Sequence, residues 1–181
     1  MALLEPLAIR EVGVVGARLI FANGELQHAG MVIGVNDGAA HIYHHSPQEF
    51  IGYNGFTHVI RNYCCVTAAC MATRADVVRA TGPWDTGFIV DYNDVDFCLR
   101  VLECGYRVVY TPYAELYHFE GSTCIRRSAN LADVERFQTK WQKYIMRDPY
   151  YNPNLTKHGL EFAADPAAWG SNLNPQVSIL V

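Results

Sequence analysis

Several things this chain of 181 residues lacks narrow its class at once. No apolar run approaches the roughly 18 residues of a membrane span, and the N-terminus has no basic segment followed by an apolar one, as a secretion signal would. Basic charge is scarce: 14 Lys and Arg stand against 18 Asp and Glu, a formal net charge of −4. Nothing therefore recommends nucleic acid or an anionic membrane surface as a partner. The six cysteines never fall at a CxxC spacing; Cys64 and Cys65 are adjacent, and Cys98 and Cys104 share one helical stretch. Neither arrangement suits a disulfide framework or a zinc site, so free, mostly buried thiols in a reducing compartment are expected. What is present is apolar: half of the residues are hydrophobic, enough for one α/β unit with a real core.

The stretch over residues 81–120 organises the rest. From Asp94 to Cys104 the residues Val95, Cys98, Leu99 and Leu102 recur on one helical face, and Gly105 ends the helix. At about 100° per residue, Asp96 falls with Arg100 and Glu103 on the polar side, where Asp96 and Arg100 pair at i, i+4. Asp94 lies at the edge of the apolar face, in the first turn. Asp91, Asn93 and Asp94 are equally suited to capping the helix and complementing its dipole. Just before them, Trp84 and Asp85 make a platform for the apolar face of a sugar ring, though a core Trp fits as well.

Elsewhere the pattern is coarser. Residues 3–10 read as a helix end, 12–21 as an interior strand, Asn23-Gly24 as a hairpin turn and 26–34 as the returning strand. His28 in that hairpin is expected to be structural and hydrogen-bonded. Residues 35–58 show no periodicity and read as a long surface loop, with His41, His44 and His45 solvated. A second strand is expected over 63–71, a short helix over 74–80, and a strand over 107–111 ended by Pro112. Beyond it Ala114, Leu116, His118 and Glu120 share one face of an extended segment; His118 with Glu120 suits a divalent cation, a structural His equally so. Arg126 and Arg127 suit an anion such as a diphosphate, or solvent. Residues 130–146 form a second long helix capped by Asn130 with Asp133 three residues on, and a proline-punctuated turn over 148–155 leads to a tail over 156–181.

Four pieces in order, VGVVGARLIFANGELQHAG, VTAACMATRADVV, GPWDTGFIVDYNDVDFCLRVLECGYRVVYTPYAELYHFEGS and RDPYYNPNL, resemble the second half of family 2 glycosyltransferases of the GT-A fold, the bacterial type used in cell-surface polysaccharide and rhamnan assembly. The resemblance covers residues 3–155. It implies an α/β fold that is a partial GT-A domain, a mixed sheet flanked by helices without the nucleotide-binding N-terminal half, in which residues 1–155 form the acceptor-side portion and 156–181 a tail. It implies transfer of a sugar, with inversion, from a nucleotide-sugar donor to a glycan or lipid-linked acceptor. Asp94 matches the catalytic base, with Asn93 where the family has Glu; His118 matches the metal-ligating His, and Arg126 and Arg127 are nearest to the donor diphosphate. Ala68 stands where the family has Gly, which raises the question of backbone strain there. The DxD-type metal motif has no counterpart. Bound Mg²⁺ or Mn²⁺ is therefore expected only with the missing half, and the isolated chain is expected to be nearly inactive. A cytoplasmic location, peripheral at the inner face of the membrane in the full-length protein, is implied, as is a homodimer or apolar patch at an exposed sheet edge along the strands starting at Val12 and Tyr63. Two other classes stay open: a glycan- or partner-binding module using Trp84, and a metal-dependent hydrolase, which requires Asp91, Asp94, Asp96 and His118 to converge.

Overall fold

The computed structural model describes residues 1–119, 129–158 and 163–165. After a single 3-10 turn at Glu5–Ala8 come strands β1 (Val12–Ile20), β2 (Leu26–His28), β3 (Met31–Val35), β4 (Gly38–His41), β5 (Arg61–Tyr63) and β6 (Met71–Thr73). Helices α1 (Ala75–Thr81) and α2 (Asn93–Glu103), strand β7 (Arg107–Tyr117) and helix α3 (Leu131–Met146) follow. The result is the expected mixed α/β architecture.

β1 is buried along its whole length because both faces of the sheet are covered. Val14 and Ile20 belong to the main core with α2 residues Val95, Leu99 and Val101. Val12 and Val15 pack with Val109 beneath Leu3 and Leu7 of the N-terminal segment. The strand order is β2-β1-β7-β5, with β6 also paired to β1. β1 and β7 run parallel, whereas β2, β6 and β5 pair antiparallel. Gly16 is needed in β1 because a Cβ there would sit 2.4 Å from the Cβ of Val66.

Several expectations are corrected. The returning strand over 26–34 breaks after His28, and Gly30, at φ 110°, turns the chain into a separate two-stranded sheet of β3 and β4. That hairpin lies partly inside the stretch read as a loop; Asn36 and Asp37 at its turn both have positive φ, the requirement that Asn-Asp-Gly at 36–38 meets. The strand over 63–71 splits into β5 and β6 around a 3-10 turn at Ala68–Cys70. Pro112 does not end β7. The register against β1 shifts between Ala17 and Arg18, opposite Thr111 and Glu115, so the proline falls in an irregularity where its missing N–H breaks no ladder. β1 is an interior strand rather than an exposed edge, while β5 does lie at the end of the strand order.

Candidate functional site

α2 begins without a side-chain cap, after Tyr92 in the left-handed region at φ 62°. Asp94, half-buried in the first turn, is fixed through both oxygens: Oδ2 accepts the Ala68 N–H at 3.0 Å and Oδ1 the Val95 N–H at 2.8 Å. Ala68 sits in the 3-10 turn that Thr67 caps by accepting the Ala69 N–H at 3.3 Å. Its φ is not positive, so alanine is accommodated where the resemblance called for glycine.

The neighbouring carboxylates turn elsewhere. Asp91 Oδ2 accepts the Asn130 N–H at 2.8 Å instead of capping α2. Asp96 pairs with Arg100 as its spacing requires, at 2.9 Å, but it is fully buried. The helix face read as polar is covered by α3, whose Trp141 Nε1–H and Lys140 Nζ reach Asp96 at 2.9 and 2.7 Å. Asp91, Asp94 and Asp96 thus diverge, which removes the convergence that a hydrolase built on them needs.

Trp84 keeps 44% of its surface exposed and leans on Phe97, ring centroids 4.9 Å apart. Asp85 beneath it is occupied by Arg136 at 2.8 Å, Lys140 at 3.0 Å and the Gly87 N–H at 2.9 Å. Those contacts, Arg136 first, hold its carboxyl well below the usual carboxylate range.

A second group of side chains lies at the C-terminal ends of the parallel strands β1 and β7, where ligands of open α/β sheets commonly bind. The His118 N–H donates to the Ile20 carbonyl at 2.8 Å. The His118 Nδ1 is buried with no hydrogen-bond partner among the described residues. Two positions away in register, Leu19 lies between Leu116 and His28. His28 is fully buried; its Nδ1 meets the His41 Nδ1 at 3.0 Å, and its Nε2 has no partner among the described residues. Burial, then the nearby His41 and His44, keeps His28 neutral well below the usual histidine pKa. His28 is therefore structural and hydrogen-bonded as read, and His45 is exposed as read, whereas His41 and His44 are partly buried. His44 and His45 lie edge to face at 4.2 Å, and His45 stacks on Phe21 and contacts Glu25 at 2.7 Å.

Asp94 and His118 are not in contact. Val66, just before the turn that holds Asp94, packs on Gly16, whereas His118 is bonded to Ile20; that length of strand is about 13 Å. Among the described residues no group of three or more His, Cys, Asp or Glu side chains is placed to hold a metal ion. Glu120, Arg126 and Arg127 lie outside the described residues. No helix among the described residues is long and apolar enough to cross a membrane.

No family model matches the chain. It is similar to an uncharacterized protein, y4gI, of Sinorhizobium fredii, 36% identical over 165 residues that cover 87% of this chain and 18% of that protein. It is also similar to the O-antigen biosynthesis protein RfbC of Myxococcus xanthus, 36% identical over 149 residues that cover 81% of this chain and 12% of that protein. The chain thus spans less than a fifth of the length of either relative.

The residue that sequence reasoning misjudged most is Asp133. Its place three residues after Asn130 suggested a capping box, but Asn130 caps α3 alone, Oδ1 accepting from Ala132 and Asp133 N–H at 3.0 and 3.3 Å. The Asp133 carboxylate reaches a different segment. No local spacing signals that, because the partners lie about forty residues earlier in the chain.

Proposed function

We propose that this chain is the acceptor-side part of an inverting glycosyltransferase of the family 2, GT-A type, moving a sugar from a nucleotide-sugar donor to a glycan or lipid-linked acceptor in polysaccharide biosynthesis. The observation that carries this reading is the Asp94 carboxylate, half-buried and held in one orientation by the Ala68 and Val95 N–H groups. The similarity to a protein named for O-antigen biosynthesis supports it.

In this reading Asp94 takes the proton of the acceptor hydroxyl as that oxygen attacks the anomeric carbon from the face opposite the nucleotide. The Ala68 and Val95 amide donors hold the carboxylate in one orientation for that proton transfer. Trp84 presents an open ring for the acceptor sugar, while Asp85 braces the loop beneath it through Arg136 and Lys140. His118, with a buried Nδ1 that has no described partner, suits one imidazole ligand of Mg²⁺ or Mn²⁺. Carboxylate ligands from beyond the described residues have to complete such a site, since no three-ligand group exists among them. A cation held there would supply Lewis-acid neutralisation of the leaving diphosphate, and Arg126 and Arg127 are the proposed diphosphate contacts. A homodimer through the β5 edge belongs to the same proposal, as does action at the cytoplasmic face of a membrane.

The test is transfer from radiolabelled nucleotide sugars by the protein carrying this sequence. Asp94→Asn, isosteric but unable to accept the proton, should lower turnover about 10²- to 10⁴-fold with acceptor affinity kept. Undiminished transfer by Asp94→Asn contradicts the assignment. Saturable glycan binding by a parental protein that turns over no donor favours the binding-module alternative, for which the half-open Trp84 is the supporting feature.

A further inference from the structure

We infer that Asp133 on α3 is a positioning residue for the Asp94 carboxylate. The inference rests on the transfer reading for the role of Asp94, but not for the coupling itself.

Asp133 is fully buried. Its Oδ1 accepts the Ile89 N–H at 2.8 Å, and its Oδ2 accepts those of Val90 and Asp91, each at 2.9 Å. Those three residues are the approach to α2, and they have almost no apolar hold of their own: Ile89 and Val90 are each 67% exposed. Hydrogen bonds to one buried carboxylate therefore fix this backbone. A buried charge is costly unless well satisfied, and an apolar residue at 133 would leave three amide donors without an acceptor.

The grip continues along one face of α3. Asn130 N–H donates back to Asp91 at 2.8 Å. Tyr92, in its left-handed conformation, stacks on Phe137 with centroids 4.4 Å apart and planes at 11°. Trp141 Nε1–H reaches Asp96 at 2.9 Å. Positions 130, 133, 137 and 141 recur at the spacing of a single helical stripe, so α3, which leaves helical geometry at Trp141, anchors the segment just before Asp94 and Asp96 two residues after it. Asp94 lies between these anchors, and its bond to Ala68 N–H depends on where they hold the first turn. Asn130 already satisfies the α3 N-terminus, which leaves the Asp133 carboxylate available for this task.

The experiment is an NMR measurement that does not involve sugar transfer. The amide proton of Ala68 donates to Asp94, so its resonance should move upfield in Asp94→Asn, which replaces a charged acceptor with a neutral one. In Asp133→Asn, which keeps the side-chain shape but confronts amide donors with another amide donor, the Ala68 resonance should move upfield by about half of that displacement or more as the charge-assisted bond lengthens. Where transfer is measured, the same variant should lose kcat by about 10²-fold with little change in KM. A folded Asp133→Asn protein whose Ala68 amide keeps its parental shift overturns the inference. If that variant does not fold, native-state hydrogen exchange of the parental protein decides: the Ile89, Val90, Asp91 and Ala68 amides should open with one shared free energy, and separate opening of Ala68 overturns it. Continued transfer by Asp94→Asn would sink the catalytic reading while leaving the Asp133 coupling to stand or fall on the Ala68 shift alone.

Discussion

The two ends of this molecule treat their polar groups differently. Around α2 and α3 the buried acids Asp96 and Asp133 are met by donors: Arg100, Lys140 and Trp141 surround one, and three backbone N–H groups surround the other. At the C-terminal ends of β1 and β7, His28 Nε2 and His118 Nδ1 are buried with no partner among the described residues. The difference teaches which end holds geometry and which end is suited to receive something. A satisfied network rigidifies the backbone it grips, whereas an unsatisfied ring nitrogen carries a desolvation penalty that a ligand or ion can relieve. Asp94 sits at the border, built on the rigid end and still half-open to solvent.

That contrast can be broken first at its strongest point. Asp96→Ala should destabilise the fold by about 3–5 kcal/mol in denaturant titration, because it leaves the Trp141 Nε1–H without an acceptor and takes the buried carboxylate from Arg100 and Lys140. A loss below ~1 kcal/mol would mean that solvent relaxes this network freely, at odds with the rigidity assigned to it.

The histidine end predicts a pH effect of opposite character. His28 has a depressed pKa in the folded state from burial, then His41 and His44. The unfolded chain takes up a proton below about pH 6.5 that the folded chain resists. Its contribution to stability is therefore present above that pH and lost as the pH falls. Relative to His28→Gln, the parental protein should lose up to about 1.4 kcal/mol per pH unit below pH 6.5, read from chemical denaturation at each pH. Parallel curves for the two proteins would show that His28 protonates freely.

The smallest effect belongs to Asp85. Its folded-state pKa is depressed by Arg136, then Lys140, so its contribution is full above the unfolded value near 3.9 and lost as the pH falls through the lower folded one. Asp85→Asn should cost about 1 kcal/mol at pH 7 after allowance for solvent screening, and the gap to the parental protein should close toward pH 2.

Much of this was legible in the sequence, for reasons that particular residues make plain. α2 announced itself through Val95, Cys98, Leu99 and Leu102 because a helix buried on one face writes its period into the chain, and the Asp96 and Arg100 pair follows from i, i+4 geometry alone. β1 read as interior because a strand covered on both faces is uninterruptedly apolar. What failed was non-local. Covering of the α2 polar face by Trp141, the turn of Asp133 toward residues 89–91, and the gathering of His28 with His41, His44 and His45 all depend on how distant segments pack. Pro112 misled because a proline in a strand argues for its end, and only the register shift against Ala17 and Arg18 shows how β7 continues past it.

The central claim is that the Asp94 carboxylate, oriented by Ala68 and Val95, accepts the acceptor proton during sugar transfer. Chemical rescue asks this most directly. In Asp94→Ala, transfer should fall about 10²- to 10⁴-fold and should rise again in proportion to added formate, a small carboxylate able to occupy the cavity left behind. An Asp94→Ala protein that transfers at the parental rate without formate would contradict the account.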